Sequence, residues 1–215
     1  PGTGQFGGVR QSGSSMQTLK LEDYEAILNQ AEYIVAATPE VSSSGQVIFG
    51  ANNAPTTVYG VNPSYLEIRK YSVSEGEMFT DADVKTSAKV CIIGQTVVEN
   101  LFTNGEDPIG QTIRFNKIPM KVIGVLESKG DNTMGMDQDD LVLAPYTTVQ
   151  QRMLAITYIQ SIAVSAISED ATEDAINSIE EIVRQRHKIG CGQEDDFNVR
   201  SQKELISMMS TTTDM

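Results

Sequence analysis

The sequence predicts an α+β fold in which both chain ends build one α/β layer and the middle forms an inserted, β-rich subdomain. Three observations predict it. Apolar stripes at helical spacing lie near opposite ends of the chain, over 21–31 and 175–183. The stretch 59–145 holds short apolar runs of strand length between polar turns. The texture changes at Asn62-Pro63 and again after Pro145. The flanking pieces are each too small for an α/β layer, and packed together they make one.

Taken in order, residues 1–17 are rich in Gly, Ser and Gln without periodicity and read as a flexible arm. Leu21, Tyr24, Ile27, Leu28 and Ala31 share one face and predict a helix over 21–30. Residues 33–37 read as a strand ending at Thr38-Pro39, and 46–49 and 56–61 as the next two. Asn62 caps a short helix whose first position is Pro63, where a missing N–H is no loss. Strands follow near 89–93, 111–117, 119–126 and 141–144, with short helices near 95–102 and 146–154. Ile162, Val164 and Ala166 alternate as in a strand.

Asp170-Ala171-Thr172-Glu173 has the character of a capping box and opens the clearest helix of the chain. Ala175, Ile176, Ile179, Ile182 and Val183 are its apolar stripe. Acidic residues crowd its first turns, and Arg184, Arg186, His187 and Lys188 its last, matching the macrodipole. A short strand is predicted over 197–200. Ser201-Gln202-Lys203-Glu204 is a capping box and predicts a final helix.

A chain of 215 residues buries about 70% of its unfolded surface, so no metal or disulfide staple is required. The net charge of −13, with scattered Lys and Arg, argues against nucleic acid, whose phosphates need clustered cations. The same sign disfavours anionic lipid. No apolar run reaches the length of a membrane span. The chain opens at Pro1 and stops at Met215 in the manner of a segment of a longer protein. Cys91 lies in an apolar run, as a buried small hydrophobe does, and Cys191 lies in the loop Gly190-Cys191-Gly192. Nothing local pairs them.

No motif carries catalysis. Gly2-Thr3-Gly4-Gln5-Phe6-Gly7 matches GxGxxG, but no strand precedes it and no helix follows, so nothing points a helix N-terminus at a pyrophosphate. A Walker A sequence is absent, which assigns any ATP hydrolysis to another domain. Asp131, Asp137, Asp139 and Asp140 cluster without EF-hand spacing and read as a solvated acidic loop. His187 is the single histidine and sits at a helix end, where its charge is favourable for structural reasons. No GxSxG elbow accompanies it. Met134 and Met136 flank Gly135 in a loop; exposed, they would form an adaptable binding surface, and the reading favoured over it is a loop partly tucked onto its own domain. The expectation is no catalytic residue, no cofactor-binding residue and no metal ligand.

One set of patterns, in order along the chain, is specific. Leu21-Glu22-Asp23-Tyr24-Glu25-Ala26-Ile27 comes first, then Val35 to Pro39 with Val41-Ser42. Tyr59-Gly60-Val61 with Tyr65-Leu66, and Glu75-Gly76-Glu77-Met78-Phe79, follow. Asp107-Pro108-Ile109-Gly110, Val122-Ile123-Gly124-Val125, and Asp139 to Thr148 with Gln151-Arg152 complete it. From about Leu19 onward the chain resembles the extracytoplasmic core domain of MacB-type, FtsX-like ABC-transporter permeases. One departure is Lys20, where the family commonly has a capping Thr; this weakens the first turn.

The resemblance implies a porter-like subdomain from 1–60 and 146–215, and an inserted Sabre-like subdomain from 61–145. It implies a periplasmic location on the inner membrane, with one membrane helix before Pro1 and three after Met215. The implied partners are a second permease copy, an ATP-binding domain or subunit, a periplasmic adaptor and an outer-membrane channel. The implied function is mechanotransmission: ATP-driven motion, passed through the helix at Ser201, drives efflux of an antibiotic or peptide. The alternative is a binding or sensing module for a peptide, a lipoprotein or an adaptor. An aromatic-lined cavity inside one domain would favour sensing.

Overall fold

A computed structural model describes residues 19–129, 138–156, 158–187 and 197–210. Helix α1 (Leu21–Gln30) occupies the predicted residues and buries Tyr24, Ala26 and Ile27. Strand β1 then runs without a break from Ile34–Phe49, and β2 returns over Asn52–Val61. This corrects the sequence reading, which ended a strand at Pro39 and began another at Gln46. Ser42, Ser43, Ser44 and Gly45 resemble a turn, yet each faces a partner in β2. Pro39 lies where the strand changes partner: Glu40 pairs with Ser161, and Val41 pairs with Gly60. A missing N–H is tolerated at such a junction.

The helix predicted to start at Pro63 starts at Tyr65 instead, with Ser64 at its N-cap and no side-chain cap; Asn62 closes the turn before it. Its Oδ1 accepts from the Ser64 N–H at 2.9 Å, ahead of α2 (Tyr65–Arg69). The middle continues with β3 (Val73–Gly76), α3 (Asp81–Thr86), β4 (Val90–Ile93), α4 (Gln95–Leu101), β5 (Thr112–Phe115), β6 (Ile118–Leu126) and β7 (Val142–Pro145). The sequence reading missed β3 and α3. The missed signal was Thr80, whose side chain accepts from the Asp83 N–H while Asp83 accepts from the Thr80 N–H, a reciprocal cap. After β7 come one turn of helix, α5 (Tyr146–Thr148), and a π-helical stretch over Val149–Leu154.

The strands close a circuit. β1 pairs with β2, β2 with β7, β7 with β4, β4 with β6, β6 with β5, and β5 again with β1. β3 flanks β6. Closure leaves the middle strands without a long open edge. Its core holds Val47, Ile93, Ile113, Phe115, Met120 and Val122, all buried.

The other half of β1, Ile34 to Glu40, pairs with β8 (Ser161–Ala166), which pairs with β10 (Leu205–Ser210), which pairs with β9 (Phe197–Gln202). Between β8 and β9 runs α6 (Thr172–Arg186). All three pairings of this sheet are antiparallel, so β8, α6 and β9 form a split β-α-β unit with β10 inserted.

Two expectations fail here. The capping box at Ser201 does not open a helix: Gln202 faces Leu205 across a two-residue turn with Lys203 at φ 56°. Ile206 and Met208 alternate inward, both fully buried, against the edge that β8 would otherwise leave open. Period-2 burial outweighs a local cap. Asp170 likewise does not cap α6, whose N-cap is Ala171 with no side-chain cap; Ser168 Oγ accepts from the Ala171 N–H at 3.2 Å in the turn that leads into it.

α1 and α6 pack together, joined by a clamp on Asp23. Its Oδ1 accepts from Arg186 Nε at 2.8 Å, and its Oδ2 lies 3.0 Å from His187 Nε2. The same Oδ2 accepts from the Lys20 N–H at 2.9 Å. Lys20 thus lacks a capping side chain, as the sequence indicated, but Asp23 supplies the return half of the cap. The Asp23 side chain is only 3% exposed. Burial alone would raise its pKa, but hydrogen bonds from His187 and Arg186 outweigh it and hold the carboxyl below its ordinary 3.8.

A carboxyl with a depressed folded pKa stabilises the fold above its ordinary value and loses that contribution as pH falls through the folded one. Asp23→Ala is therefore expected to cost about 2 kcal/mol near neutral pH. Urea melts should show this gap shrinking once the pH drops below 3.8, the ordinary value. An undiminished gap in acid would mean that the carboxylate charge is not the source.

Gly76 supplies a backbone test. It has φ 77°, and a Cβ there would collide with the Ile123 carbonyl oxygen on β6. Gly50 at the β1–β2 turn also has positive φ, 60°, but nothing lies within 4 Å of its Cβ position. Thermal unfolding should show Gly76→Ala costing about 3 kcal/mol, steric and conformational terms together. Gly50→Ala should cost about 1 kcal/mol, the conformational term alone. Equal losses would contradict the steric account.

Candidate functional site

A cleft of about 510 Å³ opens where α2 and the approach to β7 meet the turn between β9 and β10. Its position follows from β1. Glu40 lies at the change of partner, Tyr59 near the end of β2, and Tyr65 on α2. The opposite wall is Ser165 at the end of β8 together with Lys203, Glu204 and Leu205.

Rings and cations alternate along one wall. Tyr65 and Tyr71 stack with centroids 5.9 Å apart and planes at 14°. The Arg69 guanidinium carbon lies 5.9 Å from the Tyr65 centroid, and Lys129 Nζ lies 4.1 Å from that of Tyr71. Lys129 Nζ also donates to the Arg69 carbonyl oxygen at 2.8 Å. The Tyr71 hydroxyl donates to the Gln138 carbonyl oxygen at 3.0 Å.

The carboxylates are engaged differently. Glu40 receives Arg69 through Nε and Nη2, at 2.9 to 3.3 Å, and the Ser161 hydroxyl at 2.9 Å. Asp140 accepts from the Thr56 hydroxyl at 2.8 Å. Glu204 lies 3.8 Å from Lys70 across the mouth, an exposed pair of little energetic weight.

Burial pushes the Tyr65 hydroxyl pKa far up, reinforced by Glu40, and raises that of Tyr59 for the same reasons. Both stay neutral hydroxyls. Burial works against the charge of Arg69, but Glu40 and the ring of Tyr65 outweigh it and raise its pKa. Lys129 shifts the other way: burial lowers its pKa and the Arg69 charge lowers it further, against a smaller opposing pull from Asp139.

The residues weighed from sequence lie elsewhere. His187 is in the α1–α6 clamp, with Phe197 packed edge-on against its ring. Of the acidic cluster, Asp139 and Asp140 are described; Asp131 and Asp137 lie outside the described residues. Asp139 is a buried loop anchor, accepting from Ser128 Oγ and the Lys129 N–H, both at 2.7 Å. Among the described residues no group of three His, Cys, Asp or Glu is placed to hold a metal. Cys91 is a free, buried thiol whose pKa is pushed up by burial. Cys191, the Gly2–Gly7 motif, Met134 and Met136 lie outside the described residues.

Sequence reasoning missed the cleft. Tyr59, Tyr65 and Tyr71 recur six residues apart, a spacing that fits no helix face, and the break at Asn62-Pro63 excludes one continuous strand. Only the β2-to-α2 turn brings them together.

Known proteins share this architecture. The chain is 35% identical along its whole length to the macrolide export ATP-binding/permease protein MacB of Syntrophobacter fumaroxidans, and covers 38% of that protein. It is 34% identical over 99% of its length to the protein of the same name from Chlorobium luteolum, covering 32% of it. The chain thus spans about a third of the length of these curated relatives. The crystal structure of the periplasmic region of MacB from Actinobacillus actinomycetemcomitans matches with a TM-score of 0.71 at 28% identity, over 96% of this chain and 85% of that one. The extracellular domain of the noncanonic ABC-type transporter YknZ from Gram-positive bacteria shares the fold, with a TM-score of 0.68 at 19% identity over 79% of this chain and 84% of that one. A family model matches residues 2–182, and on it the chain belongs to the MacB-like periplasmic core domain family.

Proposed function

We propose that this chain is the extracytoplasmic domain of an ABC-transporter permease and couples ATP-driven motion of membrane helices to export of a substrate. The observation that carries this reading is the Asp23 clamp. It ties α1, close to where the chain enters the described fold, to the end of α6. β1 then carries that attachment into the closed circuit of strands. In this reading a pull on the N-terminal side enters through α1 and its clamp, and one on the C-terminal side through β10, which pairs with β8. The partners in this reading are a second permease copy, an ATP-binding domain or subunit, a periplasmic adaptor and an outer-membrane channel. Among the described residues no helix is long and apolar enough to cross a membrane.

The domain divides, in this proposal, into a porter-like part from 1–60 and 146–215 and a Sabre-like insert from 61–145. The four-stranded sheet with α1 and α6 supports the first part. The closed circuit supports the second, with the β1–β2 hairpin reaching over to complete it. A helix starting at Ser201 has no place in the coupling path, because those residues form a hairpin. A second reading, capture of a ligand, is favoured by the tyrosine-lined cleft. That cleft lies between the two proposed parts rather than inside one.

Rigid coupling has a measurable signature in the full-length permease. Spin labels at Asn100→Cys on α4 and Glu181→Cys on α6, in a Cys191→Ser background, report distances within and between copies. On ATP binding, the distance within one copy is expected to stay constant while distances between copies change. Constant distances in both would contradict the coupling role.

The domain is also proposed to have no catalytic activity and to bind no ATP. Calorimetry on the 215-residue chain should show no saturable heat with Mg-ATP. A saturable isotherm would require a nucleotide site in this domain.

A further inference from the structure

We propose that the cleft between α2 and the β9–β10 turn is a binding site for a small molecule that carries an anionic group on an aromatic or apolar body. Lys129 and Arg69 would receive the anion, and Tyr65 and Tyr71 the body. The inference does not depend on the domain transmitting motion.

Three observations converge on it. The first is shape. A cavity of about 510 Å³ falls within the range of small-molecule pockets. Its floor is built from stacked rings and α2 backbone, so little ordering is left to do on binding.

The second is charge. The lining carries Arg69, Lys70, Lys129 and Lys203, a cationic surplus over its three carboxylates in a chain of net charge −13. The surplus is concentrated on Lys129. Arg69 is matched by Glu40 and Lys70 by Glu204. Among the described residues no carboxylate lies within ion-pair distance of Lys129. Among the described residues its ammonium meets a carbonyl oxygen and a ring face, which leaves two of its three N–H donors for a ligand. Its pKa is lowered first by burial, and the nearby Arg69 charge adds to this against a smaller opposing pull from Asp139.

The third is the ring–cation alternation. Arg69 and Lys129 lie against Tyr65 and Tyr71. A ligand that brings its anion to these cations places an attached ring or alkyl group beside the tyrosines. A cationic ligand would meet Lys129 and Arg69 with like charge, while the strongest carboxylate, Glu40, is already occupied twofold by Arg69.

N-acetyl-L-phenylalanine and its amide are suitable probes, titrated by calorimetry into the 215-residue chain at low salt. The acid is expected to bind saturably and at least about ten-fold more tightly than the amide, the factor a lost charge-assisted hydrogen bond gives. Raising the salt should weaken it. Lys129→Met, which keeps the stem, should abolish the preference for the acid, and Lys89→Met on the exposed side of the chain should leave it intact. Tyr71→Leu should weaken acid and amide together. Phenyl phosphate separates the sources: tighter binding than the acid would support a phosphate head group, weaker binding a carboxylate. Equal binding of acid and amide by the unsubstituted chain, no binding of either anion, or tighter binding of tyramine would each overturn the proposal. The acid–amide contrast is read without any substitution, so a variant that fails to fold does not rescue it.

Discussion

Everything in this domain hangs on the hydrogen-bonding demand of one strand. β1 is 16 residues long, about 50 Å at ~3.3 Å per residue, and each of its backbone donors and acceptors needs a partner if buried. No single sheet of the domain satisfies it. Its first half takes β8, its second half takes β2, and β5 reaches it on Val47 and Ile48. Two sheets of different topology therefore share a covalent axis, and the buried side chains on either side merge into one cluster running from Leu19 to Met208.

The junction on that axis is polar and fully occupied. The Thr38 hydroxyl accepts from the Asn62 N–H at 2.9 Å, and Asn62 Nδ2 donates to the Tyr24 hydroxyl at 2.8 Å and to the Ala37 carbonyl oxygen at 2.9 Å. α1, β1 and the start of α2 meet in this network. Buried amides and hydroxyls with every partner in place specify one geometry, because any slip leaves a desolvated group unpaired. The same Asn62, whose Oδ1 closes the turn ahead of α2, thus sets the angle at which α2 leaves β2, and with it the side of the cleft on which Tyr65 and Arg69 stand.

How much of this was legible in the sequence depended on the range of the physics. α1, the strands β4 to β7 and the helix ending at Arg186 were readable because apolar periodicity is local. The unbroken β1 was not: Thr38-Pro39 and the Ser-rich run after it carry turn chemistry, overridden by pairing with residues up to about 130 positions away. The hairpin at Ser201 failed for the same reason. A capping box is worth about 1 kcal/mol, less than burying Ile206 and Met208 against an open strand edge. Nothing in the sequence singled out Asp23; its role appears only when α6 brings Arg186 and His187 to it. The cleft depended on still longer range, drawing Glu40, Tyr71, Lys129 and Glu204 from four separate segments.

The two halves of the molecule place opposite requirements on this junction, and the energetics divide between them. A lever must not yield where its two parts join, and here the join is a continuous strand with a satisfied buried network, both costly to break. A binding cleft must admit its ligand, and its outer closure is the Lys70–Glu204 pair, 3.8 Å apart with the lysine side chain 70% exposed. Such a pair is worth only ~0–1 kcal/mol and is screened by salt. Lys70 and Glu204 line the cleft, whereas Thr38, Asn62 and Tyr24 do not, and from β1 the lining takes Glu40. On the two proposals made above, opening this pair to a ligand would leave β1 and its network undisturbed, so the cleft would fill and empty while the domain moved as one body.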